Sequence, residues 1–226
     1  MNKVLILGDG LLGSELALQT DWDVASRKKG NLDINDYWDL VNLVVKYDIV
    51  INCIAYTNSY SEDKDTHWNV NYKFAADLSD ICNNRGIKLV HISTEFVYAN
   101  SNSLASETDK PSPDNTWYAK SKLLADKYIE LTNDKALICR ELHKPYPFPY
   151  DEVWRVKTSG DTVNNIAALI IKLINKDAIG IYNVGTGEKW LRELAPNAKE
   201  IEAPSHVPKD TSMNLNKLNK LLNETI

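Results

Sequence analysis

Tyr118 and Lys122 stand four residues apart in Tyr118-Ala119-Lys120-Ser121-Lys122, a spacing that places both on one face of a helix. A free tyrosine has a pKa near about 10 and is a poor acid or base at neutral pH. A lysine ammonium close by favours the phenolate and lowers that value. Such a pair is able to exchange a proton with a carbonyl or alcohol oxygen while hydride moves to or from carbon. Supporting hydroxyls occur in His91-Ile92-Ser93-Thr94-Glu95-Phe96-Val97-Tyr98. Thr94 is placed to hydrogen-bond a substrate oxygen opposite Tyr118 and stabilise charge developing there. The alternative is that Thr94 only caps a turn.

A second group of residues concerns phosphate. Gly8-Asp9-Gly10-Leu11-Leu12-Gly13 comes after an apolar run at the start of the chain and opens a helical pattern. In that context one glycine permits a tight turn, one lets backbone approach a pyrophosphate, and one lets helix and strand pack closely. The N-terminus of the helix would offer free N–H groups and a positive dipole end to phosphate oxygens. The end of the next strand discriminates between nicotinamide cofactors, since an acid there binds a ribose 2′-hydroxyl and a cation accommodates a 2′-phosphate. Here Ser26, Arg27 and Lys28 occupy the place and no acid does, which favours NADP(H) over NAD(H). A solvated basic turn with no ligand is the competing reading.

These residues need a scaffold, and the hydrophobic pattern predicts one. Lys3 to Leu7 reads as a strand and Leu11 to Thr20 as a helix; Trp22 to Ser26 reads as a second strand and Ile34 to Tyr47 as an amphipathic helix. Asp48 to Cys53 is almost wholly apolar, as a strand covered on both faces should be. Next in order are a helix over Asp65 to Asn84, a strand over Lys88 to Ser93, a helix over Tyr118 to Leu131 and a strand over Ala136 to Arg140. Thr162 to Asn175 and Gly180 to Val184 add a helix and a strand. The alternation predicts a parallel, doubly wound α/β sheet with Val4 to Leu7 at its centre. Ligands of such sheets bind outside the carboxyl ends of the strands, where Gly8, Thr94 and Tyr118 should cluster. Ser-, Asp- and Pro-rich 100–115 and Pro-rich 143–160 interrupt the pattern and read as binding loops.

Composition narrows the function classes. The 226 residues are 43% hydrophobic and 25% charged, enough apolar residue for a real core. A net charge of −5 gives no basic face for nucleic acid. No apolar run reaches bilayer length, and the first residues lack the pattern of a signal peptide. Cys53, Cys82 and Cys139 are odd in number and widely spaced, so buried free thiols and a reducing cytoplasm are expected, and no metal site is.

Taken in order, Asp48 to Thr57, Asn71, Ser93 to Tyr98 and Tyr118 to Lys122 resemble the dTDP-4-dehydrorhamnose reductases, within the extended short-chain dehydrogenase/reductase group. The resemblance covers about 1–140 well and 160–187 more loosely. It implies a Rossmann-type doubly wound parallel sheet with a reduced C-terminal substrate region. The expected divisions are a dinucleotide-binding core over 1–141, a substrate loop over 142–160, completion of the core over 161–187 and a small substrate region over 188–226.

The resemblance also implies roles. Tyr118 looks like the proton donor, Lys122 like the lysine that holds the nicotinamide ribose, and Thr94 like the hydroxyl partner. Gly8, Gly10 and Gly13, with Leu11 and Leu12 between them, look like the phosphate loop. Asp33 and Ile34 look like the pair near the adenine. Ala55 and Tyr56 look like the segment beside the cofactor, with Cys53 and Ser93 on the same side, and Asn71 like the helix asparagine that supports the site. Glu95 stands where the family usually has Asp and is expected near substrate. His143 is expected either to touch substrate or, as the favoured reading, to be an ordinary loop histidine. Many proteins of this kind are dimers, which makes a homodimer an expectation here.

The function implied is NADPH-dependent reduction of a 4-keto-6-deoxy nucleotide sugar. Two alternatives stand beside it. One is a nucleotide-sugar epimerase or dehydratase with bound NAD, which Thr94-Glu95 leaves open and Arg27-Lys28 opposes. The other is a non-catalytic dinucleotide-binding regulatory subunit, such as that of methionine adenosyltransferase, which the short substrate region favours and the intact Tyr118, Lys122 and Thr94 oppose.

Overall fold

A computed structural model describes residues 2–224. The chain runs β1 (Val4–Leu7), α1 (Leu11–Gln19), β2 (Asp23–Ala25), α2 (Tyr37–Val44) and β3 (Ile49–Asn52). Next come α3 (Lys64–Thr66), a π-helical stretch (His67–Lys73), α4 (Phe74–Arg85), β4 (Lys88–Ile92) and a 3₁₀ turn (Glu95–Tyr98). After these lie α5 (Trp117–Thr132), β5 (Leu137–Glu141), β6 (His143–Lys144), β7 (Glu152–Trp154), β8 (Lys157–Thr158) and β9 (Asp161–Thr162). The last elements are α6 (Val163–Asn175), β10 (Gly180–Val184), β11 (Lys189–Trp190), β12 (Lys199–Ile201) and α7 (Asn216–Asn223).

Six parallel strands form the central sheet in the order β10-β5-β4-β3-β1-β2. Successive side chains of a strand point to opposite faces, and both faces are packed. Val4 and Ile6, Ile49 and Ile51, and Leu137 and Cys139 face α1 and α6 in one cluster. Leu5 and Leu7, Val50 and Ile138 face α2, α4 and α5 in the other. Burial on both sides is why these strands lack polar alternation.

The expectation that β1 is central is corrected. Only β2 lies outside it, so β1 is one strand in from the edge and β3 and β4 are the middle pair. The cause is the polar segment after Ala25, whose lysines, glycine and asparagine form turns and no further strand. The predicted helix over Ile34 to Tyr47 shortens accordingly. Asp36 caps α2 by accepting from the Asp39 N–H at 2.9 Å. The predicted helix over Asp65 to Asn84 is present, but a widened turn replaces α-helix from His67 to Lys73.

The irregular parts interlock. Strand β7 pairs with β12 and β8 with β11, so 151–158 and 189–201 build one small lobe over the carboxyl ends of the sheet. Val153, Leu191, Ala195 and Ala198 form its core. The final helix does not join that lobe. Leu218 of α7 packs into the main core, and Lys217 donates to the Ile181 carbonyl of the edge strand β10 at 2.6 Å.

Candidate active site

The strand order reverses between β1 and β3, because β2 lies to one side of β1 and β3 to the other. A crevice must open there at the carboxyl ends. It is a cleft of about 1140 Å³ lined by Gly8, Gly10, Ser26, Arg27, Lys28, Asp33, Ile34, Cys53, Ala55 and Tyr56. A second cleft of about 500 Å³ adjoins it. That one is lined by Gly10, Leu11, Leu12, Gly13, Cys53, Ala55, Ser93, Thr94, Glu95, Tyr118, Lys122 and His143.

The glycines show whether a dinucleotide fits. Gly8 has φ +98°, which side chains rarely adopt, and a Cβ there would press on Ile54 at 3.0 Å. A Cβ on Gly13 would collide with the Gly8 carbonyl. These two glycines are needed by the protein itself. Gly10 is different: a Cβ there would meet nothing within 4 Å. It caps α1 with no side-chain partner for the helix N–H groups. Open space above uncapped N–H groups suits a pyrophosphate. Arg27 and Lys28 are exposed at the far side of the same cleft and form no ion pair among the described residues.

Asn71 lines neither cleft; it holds a wall. Its Oδ1 accepts from the Tyr56 N–H at 2.7 Å, and its Nδ2 donates to the Tyr56 carbonyl at 3.1 Å and to the Ser121 hydroxyl at 3.3 Å. The loop after β3 is thus tied to α5. The π-helical turn that carries Asn71 is a common device for re-aiming a side chain at a functional site.

Thr116 caps α5 by accepting from the Ala119 N–H at 3.1 Å, which starts the helix at Trp117 and sets Tyr118 at its first turn. The Tyr118 ring lies against Phe96 and His67, with centroids 5.8 and 6.2 Å away. Burial pushes its phenol up to about 12, although a hydrogen bond from Thr94 pulls the other way. The expected lowering by Lys122 is corrected here. Lys122 is buried, and its ammonium donates to the Ile92 carbonyl at 2.6 Å and lies 3.4 Å from His91 Nε2. Burial lowers Lys122 to about 8 despite Asp126 and Glu141. Thr94 both caps the 3₁₀ turn, accepting from the Phe96 N–H at 3.3 Å, and stands beside the phenol.

Glu95 is buried, and its carboxylate accepts from the Thr158 hydroxyl at 2.6 Å and the Thr211 hydroxyl at 2.5 Å. Burial raises it to about 7. It joins the small lobe to the sheet and is not free beside Thr94. Cys53 is half-buried and borders both clefts, while Cys82 and Cys139 are buried.

Sequence reading missed several residues. Glu141 and Lys144 line the second cleft, as do Tyr60 and Trp154. Glu141 sits at the carboxyl end of β5, where the sheet rule pointed. Thr158 and Thr211 carried no signal, because their partner is 63 and 116 residues away in the chain.

A glycine loop at the reversal of a parallel sheet, with a tyrosine, threonine and lysine at the adjoining strand ends, defines a dinucleotide-binding protein of the Rossmann type. The chain belongs to the RmlD substrate binding domain family, whose profile matches residues 1–142. It is 27% identical over 210 residues to a probable low-salt glycan biosynthesis reductase of Haloferax volcanii, covering 76% of this chain and 69% of that one. It is 28% identical over 149 residues to a dTDP-4-dehydrorhamnose reductase of Mycobacterium tuberculosis, covering 61% of this chain and about half, 49%, of that one. Its fold superposes with a TM-score of 0.82 on a Bacillus anthracis dTDP-4-dehydrorhamnose reductase in complex with NADP, at 23% identity over 97% of this chain and 92% of that one.

Proposed function

We propose that the chain is an NADPH-dependent reductase of a 4-keto-6-deoxy nucleotide sugar. One observation carries the reading: the cleft that holds Tyr118, Thr94 and Lys122 opens directly into the cleft built by the glycine loop, through Gly10, Cys53 and Ala55. The names of the relatives, a probable low-salt glycan biosynthesis reductase and a dTDP-4-dehydrorhamnose reductase, agree with it.

When bound, the reduced dinucleotide supplies hydride for the carbonyl carbon. Gly10 and the N–H groups of α1 would hold its pyrophosphate. Arg27 and Lys28 would face a 2′-phosphate, which favours NADP(H) over NAD(H). Asp33 and Ile34 would border the adenine, and Lys122 would hold the nicotinamide ribose. Tyr118, with its phenol raised to about 12, stays protonated at physiological pH. It therefore holds a proton at Oη for a carbonyl oxygen that is becoming an alkoxide. Thr94 donates a second hydrogen bond to the same oxygen. At physiological pH the phenol is thus in the protonated form from which reduction starts, whereas oxidation would start from the phenolate. The engaged Glu95 counts against a dehydratase that would use it as a free acid.

The lobe formed by 142–160 and 188–201, with its strand pairs β7·β12 and β8·β11, is the proposed sugar-nucleotide side. No helix among the described residues is long and apolar enough to cross a membrane. The test is incubation with NADPH and a panel of nucleotide-linked 4-keto sugars, read as loss of reduced-cofactor absorbance. No turnover across the panel, with NADPH nevertheless bound tightly, would replace this reading with that of a regulatory binding subunit.

A further inference from the structure

A buried row of side chains runs from β3 through β4 to Lys122 on α5, and nothing so far has given its middle member a task. Asn52 Nδ2 lies 3.3 Å from His91 Nδ1, and His91 Nε2 lies 3.4 Å from Lys122 Nζ. All three residues are at most 1% exposed. The row fixes where its hydrogens sit. Asn52 Oδ1 accepts from the Ile54 N–H at 3.0 Å, so the amide turns its NH₂ group toward His91. His91 Nδ1 must then accept. Burial and the neighbouring Lys122 hold the imidazole well below its ordinary value, so the ring is neutral. Its one hydrogen is therefore on Nε2 and points at Lys122. An ammonium has only donors and would set N–H against N–H. A neutral amine has a lone pair, which accepts from Nε2 while one of its own N–H bonds donates to the Ile92 carbonyl at 2.6 Å. The acids that face Lys122 are engaged elsewhere: Asp126 on α5 by Arg140, and Glu141 on β5 by His143. Burial keeps the Cys53 thiol after β3 and the Tyr118 phenol protonated.

We propose that His91 is a positioning residue for Lys122: its Nε2–H holds the lysine as a neutral amine in the cofactor-free protein, so that dinucleotide binding is coupled to uptake of a proton. The inference rests on the dinucleotide part of the reading above. The proton comes from solvent and goes to Lys122 Nζ, while His91 keeps its own hydrogen throughout. Lys122 lines the second cleft, so ribose hydroxyls there would supply the acceptors that His91 denies to an ammonium. The pyrophosphate would add negative charge that favours the cation. The charge on Lys122 is then a property of the loaded protein and not of the chain alone.

Two measurements on the full chain test this. Calorimetric titration with NADPH near about pH 8.5, in buffers of different ionisation enthalpy, counts protons taken up. The 2′-phosphate, with its second ionisation near about 6, is fully charged at that pH and adds nothing. Uptake should be about three-quarters of a proton, the neutral share of a group titrating at about 8, and should shrink toward zero near about pH 7. Nitrogen-15 NMR of the free chain should show the His91 hydrogen on Nε2. His91→Phe keeps a ring and removes that hydrogen. Asn52→Asp accepts a hydrogen from Nδ1 and so turns Nε2 into an acceptor. Each variant should cut uptake to about a third of native or less, as a tenfold shift in the lysine's ionisation would give. Retained NADPH binding shows that a variant is folded; if neither binds, the native uptake and tautomer decide. Uptake unchanged in both variants, or a native His91 hydrogen on Nδ1, overturns the inference. NADPH-driven turnover of a keto sugar with no native proton uptake overturns this inference alone. Uptake that the variants lose, without turnover on any keto sugar, supports it and overturns the reductase reading. A native chain that binds no NADPH overturns both.

Discussion

The wide cleft beside β2 and the narrower one beside α5 share Gly10, Cys53 and Ala55, yet they are made of different material. The first is shaped by backbone: two glycines that the fold demands, a third that leaves space, and an uncapped helix end. Among its charged residues, Arg27 and Lys28 stand exposed in solvent. The second is shaped by side chains brought together from far apart. Lys122, Glu95 and Glu141 are all buried there, and each depends on specific partners. A backbone-built site tolerates side-chain change at its rim. A side-chain-built site concentrates free energy in a few buried polar groups, where loss of one is costly.

The largest expected effect separates the two clefts outright. Tyr118→Phe should lower turnover by about 10²–10⁴ while leaving NADPH binding close to native, measured by steady-state kinetics and cofactor fluorescence. Equal losses in both would show that the clefts are not functionally distinct.

Glu95 comes next. Its folded value of about 7 lies above its ordinary value of 4.5. Between those values the folded protein binds more protons than the unfolded chain, so stability declines as pH rises through that window. Glu95→Gln removes the buried charge and keeps one acceptor oxygen, while the other becomes an NH₂ donor toward a threonine hydroxyl oxygen. It should stabilise the protein by up to about 3 kcal/mol near about pH 8, an advantage that shrinks to nothing near about pH 4. Thermal unfolding of both proteins across pH reads this directly. A variant less stable than native at the higher pH would mean that Thr158 and Thr211 compensate the charge in full.

Rim changes should be gentler. Arg27→Ala should weaken NADPH by about 10- to 100-fold, the range for one charged hydrogen bond, and NADH by far less. Calorimetric titration with each cofactor decides it. Smallest of all, Gly10→Ala adds a methyl group where nothing lies within 4 Å. Melting should be unchanged or slightly higher, and dinucleotide binding should weaken by less than about tenfold, one RT ln 10 of crowding. If Gly10→Ala unfolds the protein, the glycine serves packing and the space above it is incidental.

The same contrast explains how much was legible in the sequence. The wide cleft depends on Gly8 to Gly13 and on the segment after β2, both local in the chain, so motif spacing located it. Tyr118, Thr94 and Lys122 were legible because each comes after a recognisable strand or opens a helix. The outward shift of β1 was not, since strand order depends on whether 26–36 forms a strand, and turn residues decided that it does not. The raised phenol of Tyr118 was hidden because a spacing of four shows that two side chains share a helix face. It does not show that the lysine turns inward to Ile92 and His91. His143 reads as an ordinary loop histidine because its partner Glu141 gains meaning only once β5 ends in the cleft.

The hydrogen bond between Thr211 and Glu95 joins residues 116 apart. During synthesis, the strands and helices of the dinucleotide cleft, all before Arg85, are out well before Thr211 exists. Domains generally fold as units, and closing so long a loop must wait for both ends. The reaction cleft is therefore complete only once the chain through Thr211 has been made, and a chain ending before it would leave the buried Glu95 with one of its two hydroxyl partners missing.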